Sequence, residues 1–76
     1  MKFTVTPLNQ FTYTLKGVPA LITFLKNNQM MLSNPIIVTI EKENISLTIY
    51  HELLMTPTKT LITLVKDMIE RRLTDG

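Results

Sequence analysis

Few side chains in this sequence are equipped for chemistry. His51 is the one histidine, the serines are Ser33 and Ser46, and there is no cysteine. Nucleophilic catalysis needs a hydroxyl or thiol beside a base. His51 lies five residues beyond Ser46. On one strand, that odd separation puts the two side chains on opposite faces. Glu41 and Glu43 flank a turn, while Asp67 and Glu70 share a helix side with Lys66 and Arg71. Both sets read as solvated charges, not as an acid and base poised on a substrate. Without cysteine, disulfides and thiolate zinc sites are excluded, and a metal would have to be held almost wholly by carboxylates. The glycines are Gly17 and Gly76 alone, so no glycine-rich phosphate loop exists. Asn44-Ile45-Ser46 matches the glycosylation triplet, which has meaning only in an exported chain. The sequence therefore predicts no enzyme, no cofactor and no metal.

Composition sets the frame. A chain of 76 residues has room for one compact domain, expected over residues 1–76. Apolar residues make up 45% and charged residues 18%, below the roughly 25% charged of a typical soluble domain. The net charge is +2, and the basic residues are scattered from Lys2 to Arg72. Nucleic-acid binders cluster theirs. The longest apolar stretch, residues 18–25, is broken by Lys26, Asn27 and Asn28, too short for the about 20 residues a membrane span needs. Lys2 is followed by alternating threonines, not by the apolar core of a signal peptide. The expected compartment is the cytoplasm.

The elements follow from periodicity. Residues 2–6 and 11–15 alternate β-branched and aromatic residues with polar ones, with Pro7-Leu8-Asn9-Gln10 as the loop between them. Pairing Val5 with Phe11 gathers Phe3, Val5, Phe11 and Tyr13 on one face and leaves threonines on the other. Gly17 ends the second strand, and Pro19 suits the first turn of a helix running to about Asn28. Its stripe is Leu21, Phe24, Leu25 and Asn28, with Val18 and Ile22 at the side. Met30-Met31-Leu32 is either a last turn or an inward loop, and Ser33-Asn34-Pro35 is a break. Residues 36–40 and 45–49 form a second hairpin. Opposing Ile40 and Ile45 collects the isoleucines on one face, whereas a three-residue loop with Asn44 left-handed shifts the pairing by one. The last strand is free to run on towards Met55. Thr56 is the expected N-cap and Pro57 the first residue of the final helix. That helix carries Leu61, Leu64, Val65, Met68 and Leu73, widened by Ile62 and Ile69, with an Asp67–Arg71 pair. The order is ββαββα, an α+β fold with one antiparallel four-stranded sheet and two helices packed on one face.

The functional expectation rests on apolar excess. Both helices carry stripes wider than the roughly 100° of an ordinary surface helix. The reading is a small non-enzymatic protein–protein interaction module that acts by binding another protein and forms a homodimer. Chains of this size and type suit accessory or inhibitor proteins of phages and mobile elements. The expected interaction surface is the flank formed by Ile62 and Ile69, joined by Ile22. Exposed edge strands of the Thr-rich hairpin are the alternative dimer contact. A nucleic-acid-binding regulator is the runner-up, with Phe3, Phe11 and Tyr13 as a stacking platform.

Overall fold

The computed structural model describes residues 1–75; Gly76 lies outside the described residues. The elements are β1 (Lys2–Val5), β2 (Tyr13–Lys16), α1 (Val18–Asn27), β3 (Ile36–Ile40), β4 (Ile45–Ile49) and α2 (Thr58–Asp75). Short 3₁₀ segments lie at Gln29–Met31 and His51–Met55. The expected ββαββα order is therefore the observed one. The four strands form one antiparallel sheet in the order β2-β1-β3-β4, so the two hairpins join through β1 and β3.

Strand alternation decides which face is covered. Phe3, Val5, Ile36, Val38, Ile40, Leu47 and Ile49 are all buried beneath the helices. They join Val18, Leu21, Ile22 and Leu25 of α1 and Leu61, Val65 and Ile69 of α2 in one cluster. No polar or charged residue is buried among the described residues, as expected of a thin core that cannot desolvate a polar group without a partner. The opposite sheet face is open. One row across it, through the registered pairs Thr14–Thr4, Thr4–Thr39 and Thr39–Ser46, consists of hydroxyl side chains.

The second hairpin has the Ile40–Ile45 register that collects the isoleucines. Asn44 is nonetheless left-handed (φ 53°), within a four-residue loop whose Asn44 N–H donates to the Ile40 carbonyl at 2.9 Å. The first hairpin differs from expectation. Val5 pairs with Tyr13, not Phe11, and Phe3 with Leu15. The slip is two residues, so the faces are kept while Phe11 leaves the sheet. Nor does β4 continue to Met55, since residues 51–55 coil into the 3₁₀ segment.

Helix α1 turns its stripe to residues 18, 21, 22 and 25, leaving Phe24 half-buried against the Tyr13 ring, 5.0 Å between centroids. At the start of α2 the cap is one residue later than expected: the Leu61 N–H donates to the Pro57 carbonyl at 2.9 Å. The Thr56 carbonyl instead accepts from Lys26 Nζ at 2.7 Å, and Nζ also donates to Thr58 Oγ1 at 3.2 Å. This lysine ties the end of α1 to the beginning of α2. The Asp67–Arg71 pair forms as expected, at 3.0 Å on the exposed side.

Gly17 makes the corner between β2 and α1 at φ 84°, ψ 157°, a region almost reserved for glycine. A methyl group there would meet nothing closer than Pro19 Cδ at 3.9 Å. The obstacle to alanine is thus conformational and not steric. Gly17→Ala is expected to lower stability by about 1–3 kcal/mol, read as a shift of the urea midpoint at constant slope. A change below about 0.5 kcal/mol would show that the corner relaxes freely.

Candidate interaction surface

One end of the molecule is built from three separate segments. The loop of residues 6–12 is ordered by its own polar contacts. Thr6 Oγ1 and Thr12 Oγ1 lie 3.1 Å apart across its base. The Gln10 N–H donates to the Pro7 carbonyl at 2.9 Å, and the Phe11 N–H donates to Asn9 Oδ1 at 3.2 Å. Such Asx and β-turns suit Asn and Pro, and Gln10 takes a positive φ of 69°. With Pro7 tucked inward, the loop displays Leu8 and Phe11 to solvent; Phe11 is 69% exposed.

The second segment is the 3₁₀ turn after α1. Asn28 caps the helix through both its backbone N–H and its Nδ2, each donating to the Phe24 carbonyl at 3.0 and 2.9 Å. The chain then turns so that Leu32 is buried while Met30 stands 97% exposed. The Leu8 N–H donates to the Met31 carbonyl at 2.8 Å, docking the loop on this turn.

The third segment is the 3₁₀ stretch after β4. His51 anchors it: its N–H donates to Asn34 Oδ1 at 3.1 Å, and Nε2 donates to the Ser33 carbonyl at 2.7 Å. A carbonyl only accepts, which assigns the proton to Nε2. The histidine is thus a structural tie between residues 33–34 and the end of β4, its Nε2 held by the Ser33 carbonyl and not by a hydroxyl. Ser33 Oγ is engaged with the Pro35 carbonyl at 2.9 Å, and Ser46 lies on the open sheet face. Among the described residues no three of His, Asp and Glu come together as metal ligands would.

These segments converge on an apolar end. Eleven large apolar side chains are exposed among the described residues; five of them, Leu8, Phe11, Met30, Met31 and Met55, come from these three segments, and Tyr13 and Tyr50 adjoin them in sequence. The clustering matters more than the exposure, because single exposed apolar residues are ordinary. Residues 3–15 and 27–40 contain no charged side chain. Charge-free runs flanking the loop and the first 3₁₀ turn are the sequence signal that would have marked this end. The far end, by contrast, gathers Lys2, Glu41, Lys42 and Glu43 around a shallow hollow.

The expected surface of Ile22, Ile62 and Ile69 is not where the exposure lies. Ile22 is fully buried and Ile69 is 4% exposed, both in the core cluster, and Ile62 is half-buried against it. The two helices pack against each other as well as on the sheet, and that packing absorbs these residues. The stacking platform is likewise dispersed. Phe3 is core, Tyr13 leans on Phe24, and Phe11 sits in the loop.

Compared with known proteins, the chain matches no family model, and neither the curated proteins nor the solved structures give a significant match.

Proposed function

We propose that this chain is a non-enzymatic protein–protein interaction module, of the accessory or inhibitor kind, that docks another protein on its apolar end, where Lys26 and Glu52 are the charged side chains of the adjoining segments. The observation that supports this reading is the exposure of Phe11, Met30, Met31 and Met55 on three segments that meet, the 6–12 loop through the Leu8 N–H on the Met31 carbonyl and the 51–55 turn through His51 beside Met30 and Met31. Methionines adapt to irregular partners, and an exposed aromatic is a common anchor of a binding hot spot. The loops that present these residues are held by hydrogen bonds, so little ordering remains to be done on binding. Among the described residues no helix is long and apolar enough to cross a membrane.

A nucleic-acid-binding regulator has less support. The open sheet face offers hydroxyls and the pair Lys2–Lys16, far from the clustered basic surface that phosphate contacts require. Its aromatic rings do not line that face.

The test is paired capture. Wild type and Phe11→Ser with Met30→Ser are immobilised and exposed to native lysate of the source cells. Both residues are exposed, so the variant should unfold within about 0.5 kcal/mol of wild type. Truncating two anchors is expected to weaken capture of a specific partner by more than tenfold, since each hot-spot residue contributes about 2 kcal/mol or more. Equal capture by both proteins would remove the apolar end from the reading.

A further inference from the structure

We infer that two copies of this chain join edge to edge through β4, in antiparallel two-fold pairing centred on Leu47, to make one continuous eight-stranded sheet. The inference stands apart from the apolar end, because it rests on a different surface.

Strand β4 is an edge strand, so alternate N–H and C=O groups along it face outward unpaired. Natural edges are blunted by charge, proline, bulges or brevity. Strand β4, Ile-Ser-Leu-Thr-Ile, has no charge and no proline, and it pairs along its whole length with β3 without a bulge. The other edge, β2, carries Lys16 within the strand.

The side-chain pattern of β4 reads the same in both directions. A two-fold axis through Leu47 sets Ile45 opposite Ile49, Ser46 opposite Thr48 and Leu47 opposite Leu47 of the second copy. Each apolar residue of the covered face meets an apolar residue, and each hydroxyl of the open face meets a hydroxyl. Shifting the register by two keeps the faces but loses two of the five pairs, so the centred register is selected. A two-fold contact needs this kind of self-complementarity.

The helical layer fits the same axis. A shallow groove beside β4 is lined by Ser46, Leu47, Thr48, Met68, Arg71 and Arg72, so Met68 rides level with Leu47. Leu64, one turn earlier on that flank of α2, is exposed. Strands are spaced about 4.8 Å apart, so two strands are about as wide as one helix, and packed helices lie about 8–10 Å apart. Two helices over four strands therefore continue as four over eight. By the same two-fold, the Met68 level of one helix would meet the Met68 level of the other and position 72 would lie level with position 64 of the second copy, while Arg71 on the same groove is already paired with Asp67.

The test uses charge at the outward positions of β4, where the monomer leaves Ser46 and Thr48 exposed. Ser46→Lys with Thr48→Lys puts like charges opposite each other in both symmetric pairs. Ser46→Lys with Thr48→Glu puts opposite charges there, at the same sites. Wild type should sediment mainly as a dimer at about 100 μM, where a homodimer with a Kd of about 1 μM is roughly nine-tenths formed. The double-lysine variant should dissociate roughly tenfold more readily, and the lysine–glutamate variant should stay near wild type. Both are first checked for native circular dichroism. Independently, amide exchange within wild-type β4 should slow as concentration rises. A wild-type monomer at that concentration, as expected if the edge instead receives another protein's strand, would overturn the inference. So would a dimer indifferent to the two variants, or β4 exchange independent of concentration.

Discussion

A chain carrying Ile69→Glu together with Ile62→Glu is expected to be unfolded at room temperature, with no cooperative transition on heating. Ile69 is 4% exposed and sits among Leu61, Val65 and the rest of a core that contains no polar residue. Losing the isoleucine alone removes about 1.5–3 kcal/mol of burial. The carboxylate that replaces it has no buried partner to receive it, which adds several kcal/mol. Single domains are stable by about 5–15 kcal/mol, and a 76-residue chain without a disulfide belongs near the lower limit. Ile62, half-buried, contributes less, so Ile69→Glu alone should account for most of the effect. Circular dichroism and a thermal scan are sufficient. A folded, cooperative variant would mean that this flank of α2 lies on a surface.

The second large effect separates two phenylalanines. Phe3→Ala is expected to cost about 3–5 kcal/mol, the range for emptying a well-packed aromatic site. Phe3 is fully buried on β1, with Leu15 of β2 on one side and Ile40 of β3 on the other. Neighbours fixed in two ladders cannot collapse into the space. Phe11→Ala, in contrast, should stay within about 0.5 kcal/mol of wild type, because its ring is exposed on the loop. Urea unfolding of both variants provides the comparison. Similar costs for the two would show that the loop packs its ring inward in solution.

Those two residues also show how far the sequence could be read. Periodicity places Phe3 and Phe11 on one face, and that is the limit of what a period-two pattern contains. A slip of two residues preserves every face, so alternation alone could not tell the Val5–Phe11 pairing, with residues 6–10 between the strands, from the Val5–Tyr13 pairing, with residues 6–12 between them. The deciding contacts, Thr6 with Thr12 and Asn9 with Phe11, involve residues that any loop could carry. The second hairpin was legible because residues 45–49 alternate strictly and residues 36–40 nearly so, with Ile37 the one outward isoleucine, and a slip of one would have turned the others outward. In α2 the width of the apolar stripe was legible, but not which flank is covered. That depends on where α1 lies, and the neighbouring helix turned Ile69 inward while leaving Leu64 outside. The apolar end was the least visible feature. Its residues come from three segments remote in sequence, and only the fold assembles them.

The place of β1 at the middle of the sheet has a consequence for how the chain reaches this fold. Each hairpin closes locally, and each helix follows the hairpin it packs on. Just one strand pairing is long-range, Phe3–Val5 of β1 against Val38–Ile40 of β3. Loop closure of that kind is the slow part of assembling a sheet. The rate of folding is therefore concentrated in a single docking event between two units that can each begin to form alone. During synthesis the first strand waits, with one edge unpaired, until β3 has been made.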